Sequence, residues 1–327
     1  MWKSLKDRAE GVKEMKRMKT TEAVGQVLCH DITQIIPGVT KDAVFRKGHI
    51  IREEDIPVLL SVGKDSVYIW ENDETMMHEN DAAEVLYRMT ANEHMHPSDV
   101  KEGKIEVIAD TEGLLKVDRE KLKKVNAFGE MMIATRHGNT VVKKGDKLAG
   151  TRIIPLVIKK DKMQEAEKIC DGTPILKILP FTVKKAAIIT TGNEVYHGRI
   201  KDAFTPVIEQ KIAEFGAEMM FHEIFDDNDR KITDGCLRAI EAGADIVFCT
   251  GGMSVDPDDK TPLAIKNTGA EMISYGSPVL PGAMFLLSYY RKGDKVIPIC
   301  GLPGCAMYNR RTIFDLVLPR LMAADPV

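Results

Sequence analysis

The sequence lacks a cysteine framework. Its 6 cysteines, Cys29, Cys170, Cys236, Cys249, Cys300 and Cys305, form no C-x-x-C pair and keep no regular spacing, which excludes a disulfide-stapled secreted scaffold. Cys236, Cys249 and Cys300 stand inside apolar runs, where a thiol behaves as a small core residue in a reducing compartment. No sign of charge dominates either. Lys plus Arg is 46 against 49 for Asp plus Glu, a net charge of −3, and this argues against a nucleic-acid-binding protein, which normally carries a strongly basic domain. Long apolar runs are missing as well. The uncharged stretch that includes Gly276 to Tyr290 is interrupted by Pro278 and Pro281, whereas a spanning helix needs ~20 apolar residues. The N-terminus, MWKSLKDRAEGVKEMKRMK, has no apolar core of a secretory signal. No repeat array or low-complexity tract occurs. What is present is 44% hydrophobic and 29% charged residues over 327 positions. At ~100–200 residues per domain this reads as a soluble, cytoplasmic chain of two or three domains with a sizeable core, and with no membrane or nucleic-acid partner.

Three zones follow one another. Residues 1–22 form a basic, helix-permissive arm, with seven Lys/Arg against three Asp/Glu up to Thr21. Residues 23–178 are rich in short β-like runs, Val24–Leu28, Ile105–Ala109, Met131–Ala134 and Ile153–Ile158, bounded by Gly, Asp or Lys. Helices are expected at Glu53–Val62, Asp81–Met89 and Met163–Cys170, and the turn chemistry of Val141 to Leu148 suits a small β-barrel or β-roll. Residues 179–327 change character. Strands are expected at Ala186–Thr190, Glu218–Phe225, Asp245–Cys249 and Lys295–Cys300, alternating with helices at Thr205–Phe215, Asp229–Ala242 and Ala306–Met322. Continuous apolar strands alternating with helices imply a parallel sheet covered on both faces, preceded by a β-rich α+β region.

In an open α/β sheet, ligands bind outside the carboxyl ends of the strands. The segments found there are Thr191-Gly192-Asn193-Glu194, then Thr250-Gly251-Gly252-Met253-Ser254 continuing to Asp258-Asp259-Lys260-Thr261, and finally Gly301-Leu302-Pro303-Gly304. Gly251-Gly252 lets the backbone approach a ligand closely. Gly301 to Gly304 opens a helix whose free N–H groups suit a phosphate. Glu194, Asp227 and Asp259 would place carboxylates beside that phosphate, which calls for a cation, and Mg²⁺ is usually held by a few carboxylates with substrate oxygens. No segment fits G-x-G-x-x-G or G-x-x-x-x-G-K-[ST], so dinucleotide and P-loop readings are disfavoured. Elsewhere, His94-Met95-His96 with Glu93, His78 and Glu79 reads as a solvated loop rather than a metal site.

Across residues 184–320 these motifs, in this order and spacing, resemble the molybdopterin-binding domain. That domain is shared by gephyrin-type molybdopterin molybdenumtransferases, molybdopterin adenylyltransferases and a family of ADP-ribose or nicotinamide-nucleotide pyrophosphatases. Gly251-Gly252-Met253-Ser254-Val255 is most similar to the molybdenumtransferase branch, while Asp258-Asp259 before Thr261 leans toward the pyrophosphatases. The resemblance implies a three-layer sandwich with a mostly parallel sheet, and a transferase of molybdenum cofactor biosynthesis acting on molybdopterin or its adenylate with Mg²⁺ and molybdate. It implies that Glu194, Asp227 and Asp259 hold the metal or orient the reacting water or molybdate, Asp227 being preferred to Asp226 for its spacing to Ile232. Thr191, Gly192, Asn193, Thr250, Gly251, Gly252, Ser254 and Thr261 would line the pterin or phosphate pocket. Pro281-Gly282 and Gly301, Leu302, Pro303 and Gly304 would complete it. A homodimer, and contacts with other cofactor-assembly proteins or apo-molybdoenzymes, are implied too.

The chain departs from that family in three ways. It has no Asp-Asn-Ser-Ala-Met-Asp-Gly-Tyr signature near its start. Leu280 and Ala283 flank Pro281-Gly282 where the family places lysines, and Val327 follows the closing helix without the family's C-terminal domain. Three readings therefore stand side by side: the transferase, a non-catalytic molybdopterin carrier, and an ADP-ribose-type pyrophosphatase.

Overall fold

The computed structural model describes residues 16–36, 40–69, 75–254, 256 and 259–327. The chain divides into two compact units, one of Met1–Thr111, Leu115–Gly138 and Val142–Ile178, the other of Leu179–Val327 with Glu112–Leu114 and Asn139–Val141.

In the first unit, Lys16–Lys19 pairs antiparallel with Ser66–Ile69, and Ile32–Ile36 forms a hairpin with Thr40–Phe45. Ala23, Leu28, Ile32, Ile51, Leu59, Val67 and Ile69 make a small core there. Residues 1–15 of the expected basic arm lie outside the described residues; its last residues form the strand just named. Beyond them, an antiparallel sheet runs in the order Met95–Pro97, Lys104–Ala109, Lys147–Ile153, Met131–Thr135. Ile105, Val107 and Ala109 alternate inward, as the two-residue period of a half-buried strand requires. Val107 and Ala109 meet the helix Glu79–Thr90, which turns Ala82, Val85, Leu86 and Met89 to the same core.

Two expected strands of this region are corrected. Val24–Leu28 makes only isolated bridges, Val27 to Ile50 and Leu28 to Ile69, because Gly25 turns the chain at φ +83°. Ile153–Ile158 is broken: Ile153 ends one strand and Val157–Lys159 pairs separately with Met76–His78. Pro155 stands between them and has no N–H to donate to a ladder. The helix Arg119–Ala127, capped by the Asp118 side chain, was not foreseen, since only Val125 of its length is buried.

The second unit is built on six strands and six helices among its described residues. They are β1 (Lys185–Thr191), α1 (Asn193–Tyr196), α2 (Phe204–Ala213), β2 (Glu218–Phe225), α3 (Asp229–Glu241) and β3 (Ile246–Thr250), followed by α4 (Thr261–Asn267), β4 (Glu271–Tyr275), β5 (Leu286–Lys292), β6 (Lys295–Leu302), α5 (Cys305–Tyr308) and α6 (Ile313–Met322). The sheet order is β2-β1-β3-β6-β5-β4. Neighbours are parallel from β2 to β6, and β5 alone runs against the rest. Each central strand is apolar on both sides. Ala186 and Ile188 join Ile208 and Ile212 of α2 and Phe314, Leu318 and Leu321 of α6 on one face. Ala187 and Ile189 join Ile232, Cys236 and Ile240 of α3 and Ala264 and Ile265 of α4 on the other. The result is a three-layer α/β sandwich with a mostly parallel sheet. Cys236, Cys249 and Cys300 are fully buried core residues, the first two 3.6 Å apart at Sγ.

The final helix is the third correction. It does not run unbroken from Ala306 to Met322 but stops at Tyr308 and restarts at Ile313. Thr312 ends the interruption as an N-cap: its hydroxyl accepts from Phe314 N, while the Asp315 carboxylate accepts from Thr312 N at 2.7 Å.

Candidate functional site

Register brings the strand ends level. Thr190 pairs with Thr250 and with Ile224, and Thr250 pairs with Leu302. The loops after β1, β2, β3 and β6 therefore leave the sheet along one rim.

The tightest part of that rim joins the β1 and β3 loops. Gly251 sits at φ +83°, and a Cβ there would lie 2.0 Å from the Thr191 carbonyl oxygen. Only glycine fits this approach, because both the dihedral and the space exclude a side chain. Thr191 and Thr261 place their hydroxyls 2.9 Å apart, and Thr261 N donates to Gly252 O at 3.3 Å. The Thr250 hydroxyl is fully buried at the end of β3 and meets no hydrogen-bond partner among the described residues. A buried donor of this kind is costly unless something satisfies it.

The β2 loop carries both candidate aspartates. Asp227 accepts from Asn193 N at 3.1 Å and so reaches the β1 loop. Asp226 is held instead by Lys231 Nζ at 2.8 Å, with its second oxygen buried and without a partner among the described residues. Glu194 is exposed on the one-turn helix α1. Asp259 turns back into its own loop, where its carboxylate accepts from Asp256 N at 3.0 Å. Among the described residues no three His, Cys, Asp or Glu side chains are gathered as a metal ligand set. Asn193, next to Glu194 in the chain, thus ties Asp227 to the β1 loop, while Asp259 is bonded within its own loop. Val255, Pro257 and Asp258 lie outside the described residues, so the Asp258-Asp259 doublet is seen only through Asp259. Ser254 is exposed, and its carbonyl accepts from the Tyr275 hydroxyl at 3.3 Å. Burial, and then the Asp259 carboxylate, push the Tyr275 phenol up.

On the β6 side, Met253 lies across Gly301, where a Cβ would be 2.4 Å from Met253 Cε. Leu302 is fully buried in the core, so it offers the rim only main chain. Gly304 has open space around the position of a Cβ. Pro281-Gly282 packs on the start of α6, with Ile313 N donating to Pro281 O at 3.2 Å.

One group at the rim was not foreseen. Asp202 accepts from Phe204 N at 2.8 Å, Thr205 N at 3.1 Å, the Thr205 hydroxyl at 2.5 Å and the Thr190 hydroxyl at 2.9 Å. His222 Nε2 lies 3.2 Å from both hydroxyls and 3.4 Å from the carboxylate. Burial alone would raise the Asp202 carboxyl, but these hydrogen bonds outweigh it and hold the carboxyl below its usual range. The network fixes the end of β1 against the start of α2. An acidic residue just ahead of a helix was the available signal.

The histidine segment of the first unit is the short strand Met95–Pro97 rather than a loop; Met95 is buried, and His96 Nδ1 meets Asp110 at 2.6 Å in an exposed pair. His78 and Glu79 do not share that exposure. His78 is buried with Nε2 2.5 Å from Cys29 O, and Glu79 is 7% exposed with its carboxyl raised to about 7, chiefly by burial. No helix among the described residues is long and apolar enough to cross a membrane.

Comparison with known proteins gives two family matches. Residues 187–323 match the family model described as "Probable molybdopterin binding domain", and residues 17–71 match a domain of unknown function, DUF8806. A competence-damage inducible protein of Bacillus cereus (strain B4264) is 30% identical over 129 residues, 39% of this chain and 30% of that protein. The counterpart in Bacillus subtilis (strain 168) is 32% identical over 85 residues, 26% of this chain and 20% of that protein. The chain thus spans less than a third of the length of these curated relatives. Among solved structures, the tungsten cofactor synthesizing protein MoaB from Pyrococcus furiosus is similar at 17% identity and TM-score 0.37, covering 44% of this chain and 98% of that one. The molybdopterin biosynthesis Mog protein from Mycobacterium ulcerans is similar at 16% identity and TM-score 0.32, covering 43% and 96%. Residues 187–323 of this chain therefore carry a domain of the molybdopterin-binding superfamily of molybdenum cofactor biosynthesis.

Proposed function

We propose that the second unit binds molybdopterin or its adenylate at the rim of β1, β3 and β6, and that the protein acts as a molybdopterin molybdenumtransferase-like enzyme. The observation that carries this reading is the cradle of Thr191, Gly251, Gly252 and Thr261. Its glycines admit a ligand close to the backbone, and its hydroxyls can donate to the anionic oxygens of a phosphate or to a pterin ring. Asn193 and Gly192 bound it on one side, Ser254 on another, and Gly301, Pro303 and Gly304 on the third.

Mg²⁺ commonly takes one or two protein carboxylates and completes its shell with water and substrate phosphate. Glu194 and Asp227, on one loop pair, have the chemistry for that. Asp259 would enter from the opposite loop once its bond to Asp256 N is released. When bound, such an ion would neutralise charge on the phosphates; molybdate is the second substrate of the proposed reaction. Positioning by fixed hydrogen-bond donors supplies most of the catalysis in phosphoryl chemistry, and the rigid Thr191–Thr261 pair is suited to it. A dimer, a cytoplasmic setting and contact with apo-molybdoenzymes belong to the same proposal.

The test incubates purified protein with adenylated molybdopterin, Mg²⁺ and molybdate, following AMP release and reconstitution of an apo-molybdoenzyme. AMP release with reconstitution is expected. Tight pterin binding without AMP release would leave a carrier, and turnover of ADP-ribose alone would leave a pyrophosphatase.

A further inference from the structure

The β6 side of the rim has to offer positive charge to any phosphate placed there, and its obvious sources are weak. Helix α5 is a single turn, too short to build an appreciable dipole. No lysine flanks Pro281-Gly282 in the sequence. Across the rim stand the carboxylates of Glu194, Asp226, Asp227 and Asp259, and Lys231 is already committed to Asp226 at 2.8 Å.

The interruption between α5 and α6 supplies what is missing. It spans residues 309–312 and carries Arg310 and Arg311. Both are exposed, and neither side chain meets an ion-pair partner among the described residues. The nearest acid on their own helix, Asp315, is taken by Lys211, whose ammonium also lies 3.5 Å from the Arg310 carbonyl. Lys211 therefore anchors the segment and leaves the guanidiniums uncommitted. Helix α6 begins at Ile313, directly after the two arginines, with its first turn already capped by Thr312 and Asp315. The Ile313 N to Pro281 O bond and the close seat of Ile313 on Gly282 hold this segment beside the Pro281-Gly282 loop.

We infer that Arg310 and Arg311 are the cationic half of an anion subsite at Pro281-Gly282 and Gly304, which takes the terminal phosphate or diphosphate of the pterin ligand. This rests on the function proposed above. Planar guanidiniums can grip a phosphate through paired N–H donors, which a lysine at the same place would not reproduce.

The experiment titrates inorganic pyrophosphate by calorimetry into wild type, the double variant Arg310→Gln/Arg311→Gln, and Arg291→Gln, which removes a cation at the opposite end of the sheet. Affinity is expected to fall about tenfold for each rim arginine, the lower end for charge-assisted hydrogen bonds, and to stay unchanged in Arg291→Gln. Equal affinity in wild type and the double variant, or no pyrophosphate binding by wild type, overturns the subsite. Parallel titration with molybdopterin separates the two proposals. Arginine-dependent pyrophosphate binding without molybdopterin binding keeps the subsite and removes the pterin reading. Molybdopterin binding that ignores the arginines does the reverse.

Discussion

Replacing Gly251 by alanine tests how rigidly the β3 loop is seated on the end of β1. Gly269 is the natural control, because it shares the same φ of +83° but has nothing within 4 Å of a Cβ. Gly269→Ala should show only the left-handed strain of an L-residue, ~1–2 kcal/mol. Gly251→Ala adds a collision. Its Cβ would fall 2.0 Å from the carbonyl oxygen of Thr191, a strand residue in register with Phe225 inside the sheet. The sheet cannot give, so the loop must lift by roughly 1.5 Å to restore ordinary contact. Overpacking of this kind costs ~1–3 kcal/mol. Lifting Gly252 also loosens the bond from Thr261 N and the Thr191–Thr261 hydroxyl pair, at ~1 kcal/mol each. The expected loss is ~4–7 kcal/mol for Gly251→Ala, against ~1–2 for the control. Urea unfolding followed by far-ultraviolet circular dichroism measures both. If the two variants unfold within ~0.5 kcal/mol of each other, the loop is not seated as described.

Three further outcomes follow from named contacts. Glu79 has its folded carboxyl raised from 4.5 to about 7 by burial, so its contribution is complete below pH ~4.5 and is lost as pH rises through about 7. That amounts to ~3 kcal/mol across the window; Glu79→Gln should flatten urea midpoints between pH 5 and 8, and an unaltered slope would rule the residue out as its source. Asp202 is the opposite case: its depressed carboxyl stabilises above the unfolded value and loses this as pH falls through the folded value. Asp202→Asn should cost ~1–3 kcal/mol at pH 7 and soften acid unfolding, and a variant as acid-labile as wild type would contradict the network. Thr312→Ala removes the cap that restarts the last helix and should cost ~1 kcal/mol in thermal or urea unfolding, with Thr312→Ser restoring most of it.

The parallel core of the second unit was legible because its strands are written as unbroken apolar runs. Ala186–Thr190 and Asp245–Cys249 need both faces covered, and the glycines that follow them mark where the chain must turn sharply. The edge was not legible. Residues Glu271–Tyr275 form β4 with every residue exposed, so the strand has no inward-outward alternation to read. Leu286–Lys292 follows a loop punctuated by Pro278 and Pro281, which hid the start of β5. The break at 309–312 escaped because apolar residues recur at helical spacing on both sides; the Thr312-x-x-Asp315 capping box was the local sign of a new start. At the rim, the glycines and Thr261 were identified by type and position. Asp202 was missed because it acts through Thr190, Thr205 and His222, an arrangement only the packing of β1, β2 and α2 creates.

The central claim is that a molybdopterin-type ligand sits on the rim made by the β1, β3 and β6 loops. Amide hydrogen exchange, measured with and without saturating molybdopterin, addresses it most directly. The account predicts added protection at Gly192 and Asn193, at Gly251 to Ser254 and Asp259 to Thr261, and at Gly301, Leu302 and Gly304, with the far end of the sheet around Asp245 and Arg291 unchanged. Protection confined to that far end, or no change anywhere in the second unit, would contradict it.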